Sequence, residues 1–446
     1  MSRPAPENIQ AIITQRFGYP FARHHLLAVA DAEAARVCLR AWLPRVTCAN
    51  AELDRNPEPL LNIGITWLGL QALIPPAEFA GAEDSFPASF RNPVAESADR
   101  LWNGQFDSSA VHVLICLHCR TETVLDEASG TLRDELAPGF TELQPNVTGE
   151  PAITAKSLGG RKLHFGFLDG ISEPAVNWSD EQNRPDLVDV RQFLLGYWSD
   201  AVQSSPRDGR WADLVRDGSY GAFQWIRQDV AGFEKYLTEN APALMPDLSP
   251  ADARELLAAK MMGRWRNGTP LALSPEKPDD ALACETRFGY ADDPKGLRCP
   301  LHAHIRLANP RDEPLSEPVK QSVPPGGPLL LRRGLPYGPE FIGEEDDKVD
   351  RGLVGLFFCA NLQSQFFMVM RWINKADFSP VFNPRRLRWQ DMLMADRTTP
   401  NAVLVSGFTR PDGNEVLLPT LPQLLHWKGT LLLLFPGLSG LRNIAG

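Results

Sequence analysis

The sequence predicts an α+β fold, in which helices pack against β-sheet. Strand-like and helix-like segments alternate along the chain, and the second half repeats the order of the first at larger size. The chain has 446 residues, more than one ordinary core holds, so two domains are expected. We place the boundary near residue 155, which gives domains at 1–155 and 156–446.

The first half contains two strands and two helices that local patterns predict well. Residues 21–30 predict a strand, and residues 32–43 have the apolar spacing of a helix, with Asp31 as a possible N-cap. Residues 61–74 begin like a strand and continue as a helix. Residues 111–119, VHVLICLHC, give the strongest strand prediction of this half.

Cys116 and Cys119 in that strand have CxxC spacing, which can indicate redox or zinc chemistry. No second such pair occurs, and positions three apart in a strand face opposite sides. Ordinary core cysteines are therefore the favoured interpretation.

The second half of the chain repeats this alternation of predicted strands and helices. Helices are predicted from residue 230 behind Asp229 and at 249–263, where a serine cap, a first-turn proline and a final glycine mark the ends. Further strands are predicted at 218–226, 327–333 and 352–361, a helix at 366–374, and a closing sheet segment within 421–435.

The overall composition is that of an ordinary globular protein, with 43% hydrophobic and 22% charged residues. The formal charge of -10 argues against nucleic acid or an anionic membrane surface as partner. No segment predicts a transmembrane helix or an export signal. Seven cysteines without framework spacing fit a reducing compartment, so we expect a cytoplasmic location.

The segment HFGFLDGISEP, residues 164–174, carries a carboxylate between glycines. Gly166 and Gly170 permit unusual dihedral angles and close backbone approach to a ligand. Apolar neighbours would partly desolvate Asp169 and suit it to acid–base chemistry. The alternative is a surface Asp-Gly turn.

The segment CPLHAHIRLANPR, residues 299–311, has two histidines and two arginines. A free divalent ion prefers anionic neighbours, whereas Arg306 and Arg311 suit a ligand with carboxylates of its own. Haem is such a ligand, since its iron takes an axial histidine and it has two propionates. The alternatives are packed core histidines, or a non-haem metal held by His302 and His304.

The segment LLLRRGLPYG, residues 329–338, reads as an apolar strand that ends in two arginines and is followed by a Gly-Leu-Pro-Tyr turn. An arginine at such a position can stabilise developing negative charge. The alternative is a solvated strand end.

Together these three segments resemble the dye-decolourising peroxidases. The family's glycine–aspartate motif stands at 166–170, its haem-ligand block at 303–311 and its arginine–glycine–proline block at 332–338, in order and at sensible spacing. The resemblance runs nearly end to end. It implies two ferredoxin-like domains, each an antiparallel sheet with peripheral helices, and haem b held mainly by the C-terminal domain.

The resemblance also implies roles for individual residues. Hydrogen peroxide would be the oxidant, and small organic reductants or dyes would give up single electrons. The implied residues are His304 as proximal iron ligand, Asp169 as distal acid/base, Arg332 (or else Arg333) for O–O cleavage, Arg311 and less directly Arg306 for a propionate, Gly166 and Gly170 beside the cofactor, and Tyr337 for surface electron transfer.

His302 falls where the family varies, and two residues apart on a helix it would point about 200° away from His304. An aspartate base also predicts activity at lower pH than a histidine base, whose unperturbed pKa is about 6.5.

One departure concerns the proximal side. Family members often have a carboxylate in the late strand that accepts the imidazole proton. In FCANLQSQF none is present, which leaves Asn361, Gln363, Gln365 or the more distant Asp391. A haem-handling protein with little peroxide turnover is the rival function, and it would need neither Asp169 nor Arg332. The oligomeric state stays open.

Overall fold

The structure is a computed structural model. It describes residues 3–53, 59–92, 108–145, 151–181, 184, 186–374, 381–382, 389–397 and 406–446.

Eleven strands lie in these ranges, nine of them in one sheet and two in a separate hairpin. They are β1 Phe21–Val29, β2 Leu60–Ile65, β3 Val113–Cys119, β4 Phe140–Glu142, β5 Ala152–Lys156, β6 Ser219–Gln228, β7 Leu331–Tyr337, β8 Gly352–Cys359, β9 Gly407–Thr409, β10 Glu415–Leu417 and β11 Leu425–Phe435.

Thirteen α-helices accompany them in the described residues. They are α1 Ala11–Thr14, α2 Ala32–Trp42, α3 Trp67–Leu73, α4 Ala82–Ser85, α5 Ala88–Arg91, α6 Glu122–Asp134, α7 Gly209–Val215, α8 Val230–Leu244, α9 Pro250–Met262, α10 His304–Ala308, α11 Glu317–Lys320, α12 Phe366–Asn374 and α13 Leu438–Ala445.

The large sheet runs through both halves of the chain, in the order β4–β1–β3–β2–β11–β6–β8–β7, and β5 also pairs with β1. All of these pairings are antiparallel. The C-terminal strand β11 joins the halves, because it pairs along its length with β6 and at Leu434 with Ile65 of β2. The α+β prediction is confirmed. The domain boundary near 155 falls inside β5 and stays a prediction.

Hydrophobic side chains cover both faces of this sheet. Along β3, Ile115 and Leu117 belong to one buried cluster, and Leu114 and Cys116 belong to another. Cys119 lies in the first cluster, so the two thiols of the CxxC pair face opposite sides of the sheet. Burial raises the pKa of Cys116. Both are free, buried cysteines, as the core interpretation predicts.

Local capping explains why several predicted helices form where they do. Asp31 accepts a hydrogen bond from the N–H of Ala34, and Ser249 accepts one from Asp252. Such caps stabilise a helix by about 1 kcal/mol each. Gly263 ends α9 with a φ of 96°, a conformation that favours glycine.

The structure differs from the sequence predictions at two strand ends. Strand β7 does not end at Arg333 but continues through Gly334, Leu335 and Pro336 to Tyr337. Proline is tolerated there because β7 lies at the end of the sheet order, where one side of the strand forms no ladder. The chain also does not end in sheet, since α13 follows β11.

No helix among the described residues is both long enough and apolar enough to cross a bilayer.

Candidate active site

His304 is the first residue of α10, and its imidazole is held by a carboxylate from a distant loop. Nδ1 of His304 lies 3.0 Å from Oδ2 of Asp391, whose side chain is fully buried. With Nδ1 as the donor, Nε2 is left as the nitrogen that can coordinate a metal. The His304 side chain is 20% exposed, so this nitrogen can be reached from outside the core.

The loop that contains Asp391 fixes its carboxylate tightly. Oδ1 of Asp391 accepts hydrogen bonds from the N–H groups of Leu393 and Met394, at 2.8 and 2.7 Å. Arg397 donates to the carbonyl oxygen of Asp391 at 2.7 Å. The orientation of the imidazole is therefore set by a rigid partner.

None of the three amides considered for this role bonds to His304 among the described residues. Asn361 donates to the carbonyl oxygens of Val202 and Gln203. Gln365 donates to those of Gln192 and Leu329, and the side chain of Gln363 has no bond to His304 among the described residues. Of the alternatives that the sequence left open, Asp391 is the partner.

His302 lies in the turn before α10 and is fully buried, with its ring 5.7 Å from that of Trp389. It is a packed residue, which is one of the alternatives that the sequence left open. In the described part of the chain, no three His, Cys, Asp or Glu side chains are grouped so that they could hold a metal ion. A non-haem site at His302 and His304 therefore finds no third ligand there.

Asp169 lies in a tight loop whose glycines have the expected backbone conformation. Gly166 and Gly170 have φ of 83° and 71°, and the N–H of Asp169 donates to the carbonyl oxygen of Arg161 at 2.7 Å. The Asp169 side chain is half-buried and lines a cavity of about 350 Å³. Its carboxylate forms no ion pair among the described residues, so it is available for proton transfer.

Arg332 and its neighbour in strand β7, Arg333, both line the same cavity as Asp169. The side chain of Arg332 is 46% exposed, donates to the carbonyl oxygen of Ser172 and lies 3.9 Å from Glu173. The Arg333 guanidinium is buried and donates to the carbonyl oxygens of Ile12 and Ile13. The guanidinium of Arg332 is more exposed and forms fewer hydrogen bonds within the protein than that of Arg333. This favours Arg332 over Arg333 for the role in O–O cleavage.

Arg264, which is buried, and Arg311, which is half-buried, form a cationic pair around one aromatic ring. Their guanidinium carbons lie 3.8 and 5.2 Å from the ring centre of Phe288. Arg311 donates to the carbonyl oxygens of Thr286 and Phe288, and its buried Nε has no hydrogen-bond partner. Neither arginine pairs with a carboxylate among the described residues.

Arg264 is a residue that the sequence reasoning missed. It donates to the carbonyl oxygens of Gly268 and Glu285. Burial contributes most to lowering its pKa to about 10, and the nearby charges of Arg311 and Arg332 act in the same direction. It lies in LAAKMMGRWRNGTPL, residues 257–271, outside the three segments that the sequence singled out. The two guanidinium groups of Arg264 and Arg311, which lie against the same ring, favour an anionic ligand beside them.

Arg306 does not fit the cofactor role assigned to it from sequence. Its five N–H groups all have acceptors: Glu313 twice, the side chain and the carbonyl of Asp293, and the carbonyl of Cys299. The side chain is fully buried, and its charge is balanced by two carboxylates. The geometry leaves no donor for a propionate, so Arg306 is a structural residue.

Tyr337 is not the surface aromatic that was expected. It is 6% exposed because it belongs to strand β7 and not to a turn. Its hydroxyl donates to Asp350 at 3.0 Å, and its ring lies 5.8 Å from that of Trp225. Burial and the neighbouring Asp350 raise its pKa. The expectation of a surface position was wrong.

A single turn packs against both α10, which begins at His304, and the loop that contains Asp169. A Cβ added at Gly263 would lie 2.5 Å from Ile305, and one at Gly268 would lie 2.5 Å from Ile171. The turn at 263–268 thus packs against both segments, and it carries Arg264. The described residues that line the Asp169 cavity do not include His304.

These residues fit haem on three grounds. An oriented imidazole offers Nε2 to an iron, and two propionates would supply the carboxylate partners that Arg264 and Arg311 lack among the described residues. The buried Nε–H of Arg311 has no hydrogen-bond acceptor among the described residues, so it can donate to a bound ligand.

No protein-family model matches the chain. Peroxidase 2 of Mycetinis scorodonius is 30% identical over 377 residues, which cover 79% of this chain and 69% of that protein. Dye-decolorizing peroxidase AauDyP1 of Auricularia auricula-judae is 27% identical, over 85% of this chain and 75% of its own.

A solved structure of a dye-decolorizing peroxidase in complex with 2,6-dimethoxyphenol superimposes with a TM-score of 0.78 and 26% sequence identity, and the match covers 99% of both chains.

Proposed function

Because this chain belongs to the dye-decolourising peroxidase family, we propose that it is a haem-dependent peroxidase that reduces hydrogen peroxide and oxidises dyes and phenolics in single-electron steps. The proposal assigns His304 to the iron, Asp169 to proton transfer and Arg332 to charge stabilisation. The observation that carries it is the 3.0 Å bond between His304 and the buried Asp391.

That bond supports His304 as the residue that would hold the iron. A carboxylate that accepts the Nδ1 proton fixes the tautomer and makes Nε2 a stronger electron donor. Haem bound at Nε2 would supply the redox-active iron at which peroxide is reduced and through which donors lose electrons.

Asp169 is proposed as the acid/base. Its carboxylate, unpaired and facing the cavity, would take a proton from one oxygen of hydrogen peroxide and return it to the other, which then leaves as water. No other carboxylate lines this cavity among the described residues. The same group therefore serves as base and then as acid.

Arg332 is proposed to stabilise the negative charge that develops as the O–O bond breaks. Its guanidinium lines the same cavity as Asp169 and is oriented by its bond to the carbonyl oxygen of Ser172. A cation that is already in position needs little reorganisation during the reaction, which is the advantage of such electrostatic stabilisation.

Arg264 and Arg311 are proposed to bind the two propionates. Phe288 and neighbouring carbonyl groups hold both guanidinium groups in place without neutralising them. Carboxylates are the ligands that guanidinium binds best, since two parallel N–H···O bonds can form. Gly166 and Gly170 are proposed to lie beside the cofactor. Their positive φ angles shape the loop that presents Asp169.

A spectroscopic experiment separates this function from that of a haem-handling protein. Purified protein is supplemented with haem, and its absorption spectrum is recorded before and after one equivalent of peroxide. We expect a Soret band that peroxide shifts, that His304→Ala abolishes or alters, and that responds slowly in Asp169→Asn. A Soret band indifferent to peroxide would favour the haem-handling function, and the absence of any Soret band would contradict both.

The cysteines bear on the compartment. All seven are free, and Cys284 is exposed, which supports the proposal of a reducing cytoplasm.

A further inference from the structure

The cavity that contains Asp169 and Arg332 is also lined by charged side chains that the proposed peroxidase chemistry does not use. It lies between the segment at 16–20 before β1, the loop at 157–169 and strand β7. Its volume of about 350 Å³ is that of a small-molecule site for a ligand with a single aromatic ring.

Positive charge dominates these walls. Five cationic side chains line the cavity, and Asp169 is the single carboxylate among the described lining residues. Glu173 neutralises part of the charge from outside, through its ion pair with Arg333 at 2.9 Å. Even so, five cations face two carboxylates. The lining cations are Arg16, Arg161, Lys162, Arg332 and Arg333.

Two of these cations converge on one atom. Arg16 and Arg161 both donate to the carbonyl oxygen of Gly170, at 2.5 and 2.7 Å. Neither forms an ion pair among the described residues, so two like charges are held side by side with only a neutral acceptor between them. Such an arrangement is repulsive alone and favours an anion that bridges both.

The glycine at 170 makes this convergence possible. A Cβ at that position would lie 2.2 Å from a terminal nitrogen of Arg16, and the φ of 71° is one that side chains rarely adopt. The backbone of the Asp169 loop is therefore shaped so that Arg16, a residue of the N-terminal segment, can lie against it.

The remaining wall is apolar and aromatic. Phe17, Leu335 and Pro336 line it, and the ring of Phe17 packs edge-on against His118 at 4.9 Å. A flat ring can lie on such a surface while an anionic substituent reaches the two guanidinium groups.

We propose that this cavity binds small aromatic carboxylates, with the ring on the wall of Phe17 and the carboxylate bridged by Arg16 and Arg161. Taking the bound molecule as an electron donor rests on the proposed function, since Asp169 and Arg332 line the same cavity. The binding itself does not depend on turnover. Neutral phenols would enter without this anchor and bind more weakly.

The kinetic test compares a phenolic acid with its methyl ester in the haem-loaded enzyme. Ferulate and methyl ferulate share the oxidisable phenol and differ in charge. We expect Arg16→Gln/Arg161→Gln to raise KM for the acid roughly fivefold, as loss of two exposed ion contacts implies, and to leave KM for the ester unchanged. Any disturbance of the Asp169 loop would change both donors alike, so the ratio of their KM values isolates the charge effect.

Two further variants sharpen the comparison. Arg16→Lys/Arg161→Lys retains the charge and should recover most of the preference for the acid. Lys235→Gln removes one exposed positive charge from α8, outside the cavity, and should leave the ratio as in the unsubstituted protein. A ratio that is the same in the double Gln variant and in Lys235→Gln would overturn the proposal.

Binding without peroxide separates this inference from the function on which it rests. Isothermal titration of the haem-loaded protein with ferulate should show one site, weakened roughly fivefold in the double Gln variant. This result stands even if no peroxidase turnover is found, whereas turnover with charge-independent binding would retain the function and refute the site. Inorganic phosphate is the second titrant, and if it bound as tightly as ferulate the assignment to aromatic acids would be wrong.

Discussion

Asp391 follows His304 by 87 residues, yet its Oδ2 lies 3.0 Å from the Nδ1 of that histidine. The carboxylate is fully buried, and its second oxygen is held by two backbone N–H groups. His304 thus has the carboxylate partner that the late strand lacks, delivered by a different segment. The electronic effect expected of such a partner should therefore be present in this chain.

We predict that Asp391→Asn raises the midpoint potential of the haem-loaded protein, because the imidazole loses a negatively charged acceptor and stabilises ferric iron less. Activity with peroxide should fall about 10- to 100-fold, the usual effect of removing such a partner. Spectroelectrochemical titration measures the potential. Asp217→Asn, a buried carboxylate bonded to Tyr197, is the matched control. Equal potentials in both variants would contradict the role of Asp391.

Much of the fold was predictable from local pattern, because hydrophobic periodicity and caps are local properties. Helix α12 was predicted to the residue, and β1 and α2 to within one. The pairing of Asp391 with His304 was not predictable in this way, since it depends on how two distant segments pack. The sequence could only offer Asp391 as one of four alternatives.

The errors at Tyr337 and Arg306 have separate physical causes. The Gly-Leu-Pro-Tyr segment has turn residues, but pairing with β8 draws it into the sheet and buries the tyrosine. Arginine is a suitable residue type for binding a propionate, but the guanidinium of Arg306 is already paired with the buried carboxylates of Asp293 and Glu313. An arginine that stands in a cofactor-binding motif is therefore not necessarily free to bind the cofactor. Only the three-dimensional structure shows whether it is already paired.

Asp169→Asn should slow the reaction with peroxide about 10²- to 10⁴-fold, because the amide cannot carry a proton between the two peroxide oxygens. Stopped-flow spectroscopy of the haem-loaded protein measures this rate. Haem binding should be unchanged, since the Asp169 carboxylate has no hydrogen bond or ion pair among the described residues that the substitution would remove. In the unsubstituted protein the rate should remain high well below pH 6.5, where a histidine base would be protonated. A pH–rate profile that peaks above neutrality would contradict the assignment of Asp169 as the base.

Arg264→Gln should weaken haem affinity roughly tenfold, the effect of losing a hydrogen bond to a charged group. Haem transfer to apomyoglobin reports the affinity without any need for turnover. Arg254→Gln is the control, because that arginine is also on the α9 side of the site but pairs with Glu234 at 3.0 Å. If both variants lost haem at the rate of the unsubstituted protein, Arg264 would have no part in binding it.

His118 should make the fold less stable in acid. Burial lowers its pKa to about 4, against an ordinary value of 6.5. Between these values the unfolded chain binds a proton that the folded chain does not, so the stability falls as pH decreases from about 6.5 to about 4. The slope contributed by this one group is about 1.4 kcal/mol per pH unit within the window.

Replacing His118 by Phe tests this directly, since an aromatic ring retains the packing against Phe17. Denaturant unfolding at several pH values should show a shallower slope in the variant by about one proton. His24 lies in the same aromatic group and its pKa is also lowered by burial, so some acid sensitivity should remain. An identical slope in both proteins would mean that His118 does not stay neutral when folded.

Arg306→Met should destabilise the fold by about 3–5 kcal/mol, because it leaves two buried carboxylates without their cation. Asp293 and Glu313 lie 3.2 and 2.6 Å from the guanidinium and are themselves almost completely buried. Chemical unfolding measures the loss, and Arg287→Met, at a 91% exposed side chain, should cost almost nothing. At temperatures where the variant remains folded, its haem affinity should match that of the unsubstituted protein. A variant that stayed stable but lost haem would instead return Arg306 to the cofactor site.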